Sequence, residues 1–101
     1  MMNRKIIKIN ETNMSAFDAL AVSDQFIMDS CGFEYIAVKL SERFAAIVNI
    51  DGKFVLALKW KNCFSISFGT AAAITYVFDT MSDIKEFVAL NGDRLIEEEE
   101  A

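Results

Sequence analysis

From Glu34 to Phe68 apolar and small residues keep returning at every second position, and short polar pairs interrupt them. EYIAVKL (34 to 40), FAAIVNI (44 to 50), KFVLALKW (53 to 60) and CFSISF (63 to 68) each read as a strand, because a period of two is what a pleated chain presents to its two faces. Ser41-Glu42, Asp51-Gly52 and Lys61-Asn62 separate them, and Asp-Gly between apolar runs is a strong hairpin signal. Four antiparallel strands in a meander follow. Upstream, RKIIKIN (4 to 10) gives a short strand. Over 15 to 31 the apolar positions Phe17, Leu20, Ala21, Ile27, Met28 and Cys31 fall at helical spacing, with Ser15 as N-cap and Gly32 as the stop. AAITYVFD (72 to 79) reads as a fifth strand or as the opening of a helix running on through Met81, with Thr75, Tyr76 and Val77 favouring the strand. TMSDIKEFVALNG reads as a second helix, capped by Thr80 or Ser82 and stopped at Asn91-Gly92.

The expected fold is therefore α+β: a single domain over 1–96 with a mostly antiparallel four- to five-stranded meander and two helices, ordered β-α-β-β-β-β(-β)-α. Residues 97–101 are expected to form an acidic C-terminal tail. The helices are expected on one face of the sheet.

That layout leaves a difficulty. With two-residue turns throughout, one face collects Tyr35, Ala37, Phe44, Ala46, Val48, Val55, Ala57 and Phe64. The other collects Ile36, Val38, Ala45, Ile47, Phe54, Leu56, Leu58 and Trp60, and neither is polar enough to meet water. Leaving Ile47, Phe54, Leu56, Leu58 and Trp60 wet would forgo roughly 1.5–3 kcal/mol each, together as much as a typical folding free energy. Three covers are open: a sheet curled on itself as a half-barrel, helices on opposite faces, or an interface with another protein. The interface reading makes Ile47, Phe54, Leu56, Leu58 and Trp60 the candidate contact residues.

Composition narrows the chemistry. The 101-residue chain has 53% hydrophobic residues and no histidine, so the commonest general base and metal ligand is missing. No phosphate-loop, dinucleotide-binding or nucleophile-elbow motif occurs. No catalytic residue, cofactor or metal site is expected, and the chain is expected not to be an enzyme. Cys31 and Cys63 lack CxxC spacing and are expected as reduced core thiols in a cytoplasmic protein. No secretory signal and no membrane-spanning run is read.

The net charge of −5 is concentrated at one end: without Glu97, Glu98, Glu99 and Glu100 the chain has 11 acidic residues against 10 basic ones. A terminal Glu run is a solubilising feature before it is a mimic of nucleic acid. Lys39, Arg43, Lys53, Lys59 and Lys61 interleave with Phe54, Trp60 and Phe64, as on a single-strand stacking platform. Lysines at strand ends also guard against aggregation, and the acidic run opposes phosphate, so nucleic acid is the weaker reading. Asp79 and Asp83 flank the start of the second helix, where Asp83 complements the helix dipole.

The function expected on these grounds is a small non-enzymatic protein-binding module that occludes or bridges a surface of a larger partner. A phage or mobile-element inhibitor of a host defence system fits that description, although no residue specifies it. The alternatives are a homodimeric accessory protein, in which the same face is consumed by self-association, and a single-strand or small-ligand binder using Trp60.

Overall fold

The computed structural model describes residues 6–30 and 32–100. The chain forms one α+β domain, a seven-stranded and mostly antiparallel sheet with two helices, as the hydrophobic pattern predicts. In chain order the elements are β1 (Lys8–Ile9), α1 (Ala16–Ala19), β2 (Gln25–Ser30), β3 (Phe33–Lys39), β4 (Phe44–Val48), β5 (Phe54–Trp60), β6 (Cys63–Ser65), β7 (Val77–Phe78) and α2 (Met81–Glu100). A 3₁₀ turn at Thr70–Ala72 precedes β7. The sheet order is β1-β2-β3-β4-β5-β6, with β1 parallel to β2 and every other pair antiparallel. The outer edge of β5 is shared: β6 pairs with its second half and β7 with Phe54 and Val55.

Two of the three hairpin connections are one residue longer than the expected two-residue turns. Leu40 N–H donates to Phe44 C=O at 2.9 Å, leaving a three-residue loop at 41–43. Asn49 N–H donates to Lys53 C=O at 2.8 Å around Ile50, Asp51 and Gly52, and Gly52 has the positive φ of 81° that such a loop needs at its last position. Each added residue inverts the facing of the next strand, so the two shifts cancel between β3 and β5 and only β4 turns over. Val48, Ala46 and Phe44 consequently lie opposite Phe54, Leu56 and Leu58, while Ile47 moves to the other face beside Val55 and Ala37. The third connection is as expected, with Trp60 paired to Cys63 across Lys61-Asn62.

Both faces are covered within the chain, by two of the three devices considered. On one, Leu40, Phe44, Ala46, Leu56 and Leu58 pack under Ile84 and Leu95 of α2. On the other, Phe17 of α1 joins Ile9, Met14, Phe26, Met28, Ala37, Ala45, Ile47 and Ala57. The helices thus sit on opposite faces, not on one. The second face is also concave. Strands β2 and β6 are four spacings apart, which in a flat sheet is roughly 19 Å. Yet the rings of Phe26 and Phe64 have centroids 5.8 Å apart, and Phe17 meets them edge-on at 5.5 and 5.4 Å. The small side chains of Ala37, Ala45 and Ala57 floor the hollow, leaving room for the three rings.

The 15 to 31 segment departs most from expectation. Its helix stops after one turn, Leu20 is extended and Ser23 has a φ of 79°. The Asp24 carboxylate accepts from Ala21 N–H at 2.9 Å and fixes the bend. Gln25–Ser30 then forms β2, whose Phe26 and Met28 alternate inward and whose two edges are taken by β1 and β3. Cys31 and the first residues of the RKIIKIN strand lie outside the described residues. Cys63 is a free, exposed thiol and not part of the core.

Helix α2 passes through Asn91-Gly92 and continues to Glu100, so the Glu97–Glu100 run is helical. Gly92 serves a close approach: a Cβ there would come within 3.1 Å of Phe44 Cε2. The helix begins as expected, with Thr80 Oγ1 accepting from Asp83 N–H at 3.0 Å.

One lysine holds α1 to the sheet. Lys39 is only 4% exposed, and its Nζ donates to the carbonyls of Phe17 and Leu20 at 2.8 Å each, 4.7 Å from the centre of the Phe17 ring. Within the helix Phe17 C=O accepts only from Leu20 N–H, at 3.2 Å, and Leu20 C=O has no donor there. Lys59 Nζ pairs with Asp18 at 2.7 Å from the same side. Lys39→Met keeps the stem and removes the ammonium, so it should cost about 2 kcal/mol in urea unfolding, with the Leu20 carbonyl left unmet and the Phe17 carbonyl keeping only Leu20 N–H. A variant as stable as the parent would show that the ammonium does not anchor α1.

Candidate protein interface

The five residues expected to form a contact surface are divided by the structure. Leu56 and Leu58 are buried under α2, and Ile47 is buried on the opposite face. Phe54 and Trp60 are half-buried at the two ends of β5. Trp60 lies between two cations, with the Arg43 guanidinium 5.5 Å and the Lys61 ammonium 5.9 Å from its ring centre. Arg43 is held in place by donating from Nε to the Lys59 carbonyl at 3.1 Å.

Exposed apolar surface is found elsewhere, and a concave part of it runs beside α2. Helix α2 packs on β4, β5 and β7. Because β7 is a two-residue strand at the sheet margin, the helix overhangs it and leaves a groove. A depression of about 360 Å³ lies between Val77, Phe78 and Asp79 on one wall and Asp83, Glu86, Phe87, Leu90 and Asn91 on the other. A second, of about 440 Å³, continues past Ile74 and Tyr76 to Arg94, Glu98 and Glu99. Tyr76 of the second depression and Val77 of the first are neighbours in the chain.

The floor is aromatic. Phe87 stacks at a tilt on Tyr76 at 4.8 Å and on Phe78 at 5.2 Å, and Tyr76 touches Phe68 at 5.5 Å. Leu90 is 75% exposed beside this floor, and Val77, 49% exposed, turns its side chain to the other face of the sheet with Val55. The rim is acidic. Asp79, Asp83, Glu86, Glu98 and Glu99 line the groove with Arg94 as the single base. Arg94 is already paired with Glu98 at 3.1 Å, and Asp79 with Lys53 at 2.5 Å. Asp83, Glu86 and Glu99 have no ion pair among the described residues.

The backbone of β7 adds a directional feature. Leu56 N–H donates to Tyr76 C=O at 3.0 Å, and Phe78 lies opposite Phe54. Since backbone groups alternate sides along an antiparallel strand, the N–H and C=O of Val77 point away from β5, to the open side.

A second apolar surface is flat. Strand β4 pairs with β3 only at Ala37, Val38 and Lys39, so Phe33–Ile36 have β2 on one side and, among the described residues, no strand on the other. Phe33 is 65% and Ile36 57% exposed there. Lys8 pairs with Glu34 at 2.5 Å on this arm, which puts charges beside the edge.

Sequence reasoning missed the groove because Val77 and Leu90 belong to different elements whose spacing only the fold sets. Asp79 and Asp83 were visible as a pair, and both line it. Compared with family models, curated proteins and solved structures, the chain matches none. No helix among the described residues is long and apolar enough to cross a membrane.

The Lys53–Asp79 pair ties the start of β5 to the mouth of the groove. Its hydrogen bond, and then its charge, hold the Asp79 carboxyl below its ordinary value of 3.8. The linked stabilisation is present above 3.8 and is lost as pH falls through the lower folded value. Titration followed by NMR should place Asp79 below 3.8 in the parent and return it towards that value in Lys53→Met. An Asp79 titration unaffected by the substitution would show that the pair does not form.

Proposed function

We propose that this chain is a non-enzymatic protein-binding module, acting by contact with a larger partner through the groove between β7 and α2. The supporting observation is that Leu90 is exposed beside the aromatic floor of Tyr76, Phe78 and Phe87, in a depression between β7 and α2 that no element of the chain fills. Surfaces of this kind, apolar at the centre and polar at the rim, are what protein contacts use. The β5 face expected for this role serves as the seat of α2. On this reading the module occludes or bridges its partner, and an inhibitor of a host system remains one form such a module can take.

The flat β3 edge supports a second reading, self-association, since Phe33 and Ile36 lie beside unpaired backbone that a second copy could extend.

Exposed positions separate the two without unfolding the protein. Affinity capture from the native host with the parent chain, Leu90→Glu and Ile36→Glu, alongside light scattering over a wide concentration range, should give a monomer. It should also give one captured protein that Leu90→Glu loses and Ile36→Glu keeps. A concentration-stable dimer dissociated by Ile36→Glu would replace the groove reading with self-association. A captured partner indifferent to Leu90→Glu would remove the groove as the contact.

A further inference from the structure

We infer that the groove takes an extended, basic segment of the partner protein, added as a strand along the outer edge of β7. This rests on the protein-binding reading above and adds the chemistry of what is bound. Three features of the site lead to it.

The first is hydrogen bonding. The outward N–H and C=O of Val77 can pair with an extended chain, which is how strand addition supplies affinity independent of side chains. A docked helix satisfies its backbone internally and would leave both groups unmet.

The second is side-chain alternation. An added strand directs every second residue to the α2 side of the sheet, where Phe78, Phe87, Leu90 and the carboxylates of α2 lie, and the others to the opposite side, with Val77. From Asp83 to Glu98 the groove wall is about 22 Å long, enough for about seven extended residues.

The third is charge. The rim carries five carboxylates and one base, and that base is engaged by Glu98. Lys or Arg at the α2-facing positions would meet Asp83, Glu86 and Glu99, whereas an acidic segment would meet repulsion along the whole wall.

The test uses the full chain, labelled with ¹⁵N, and two blocked peptides of about seven residues. One alternates Lys or Arg with Val and Leu, and the other has Glu in place of every base. The basic peptide should shift the amides of Val77, Phe78 and Asp79 and those of α2 between Asp83 and Arg94. It should bind at least about tenfold tighter than the acidic one at low salt, with the difference shrinking towards about 1 M salt. Glu86→Lys, with unchanged circular dichroism, should narrow the preference. Equal binding of both peptides at these amides would overturn the charge specificity and leave the groove as the contact surface. No shift at these amides with either peptide would overturn the inference and the groove reading together.

Discussion

The pairing of Val48 with Phe54 is the constraint from which the rest of this structure follows. It places Phe44, Ala46, Leu56 and Leu58 on one side of the central hairpin and Ala45, Ile47 and Ala57 on the other, with all seven buried. An antiparallel hairpin buried on both sides needs a layer on each. The small residues fall in the concave face and the large ones in the face that meets a straight helix. The sheet can therefore curl around three phenylalanines on one side while α2 lies across the other. A shift of one residue in the Ile50–Gly52 loop would turn β5 over against β4, setting Ala57 beside Phe44 and Ala46 under α2 and Leu56 and Leu58 in the hollow beside Ala45 and Ile47.

How much of this was legible follows from the range of the interactions involved. The strands of the meander were readable because period-two alternation is local and strong, and the start of α2 because Thr80 is a local cap. The facing of β4 was not, because Asp51-Gly52 permits both a two-residue turn and the three-residue loop observed, and the choice is made by packing on both faces. The 15 to 31 segment failed for a related reason. Its apolar positions satisfy helical spacing and, from Phe26 to Met28, also strand alternation. Only β1, arriving in parallel from earlier in the chain, and β3, folding back from later, decide between them. Once β2 forms, α1 is a single turn that leaves the Leu20 carbonyl at its end without a donor of its own. A lysine that reads from sequence as an edge charge becomes its anchor.

The groove illustrates the same limit at the level of function. Each of its components has an ordinary explanation taken alone: Leu90 as a stray apolar residue on a helix, Val77 as a margin residue, Asp83 as a complement to the helix dipole. The second depression depends on α2 running on past Gly92, where Phe44 fits against the missing side chain, so that the helix reaches the 69 to 76 loop. The expected stop at Asn91-Gly92 would have kept the wall from Asp83 to Asn91 and lost that of Arg94, Glu98 and Glu99.

The same continuation bears on why a basic partner suits this site. Glu97–Glu100 occupy the last turn of α2, where the unsatisfied carbonyls already present partial negative charge, and no basic residue lies there to offset it. Leu95, buried, and Ile96, half-buried, hold the preceding turn on the sheet, so packing carries the helix into a terminus that electrostatics disfavours. Segments with few buried contacts and unfavourable local charge belong to the low-stability end of a fold. A cation arriving at the Glu98–Glu99 end of the groove would relieve repulsion among the carboxylates and complement the helix terminus at once, so recognition of the partner and ordering of the final turn would draw on one electrostatic interaction.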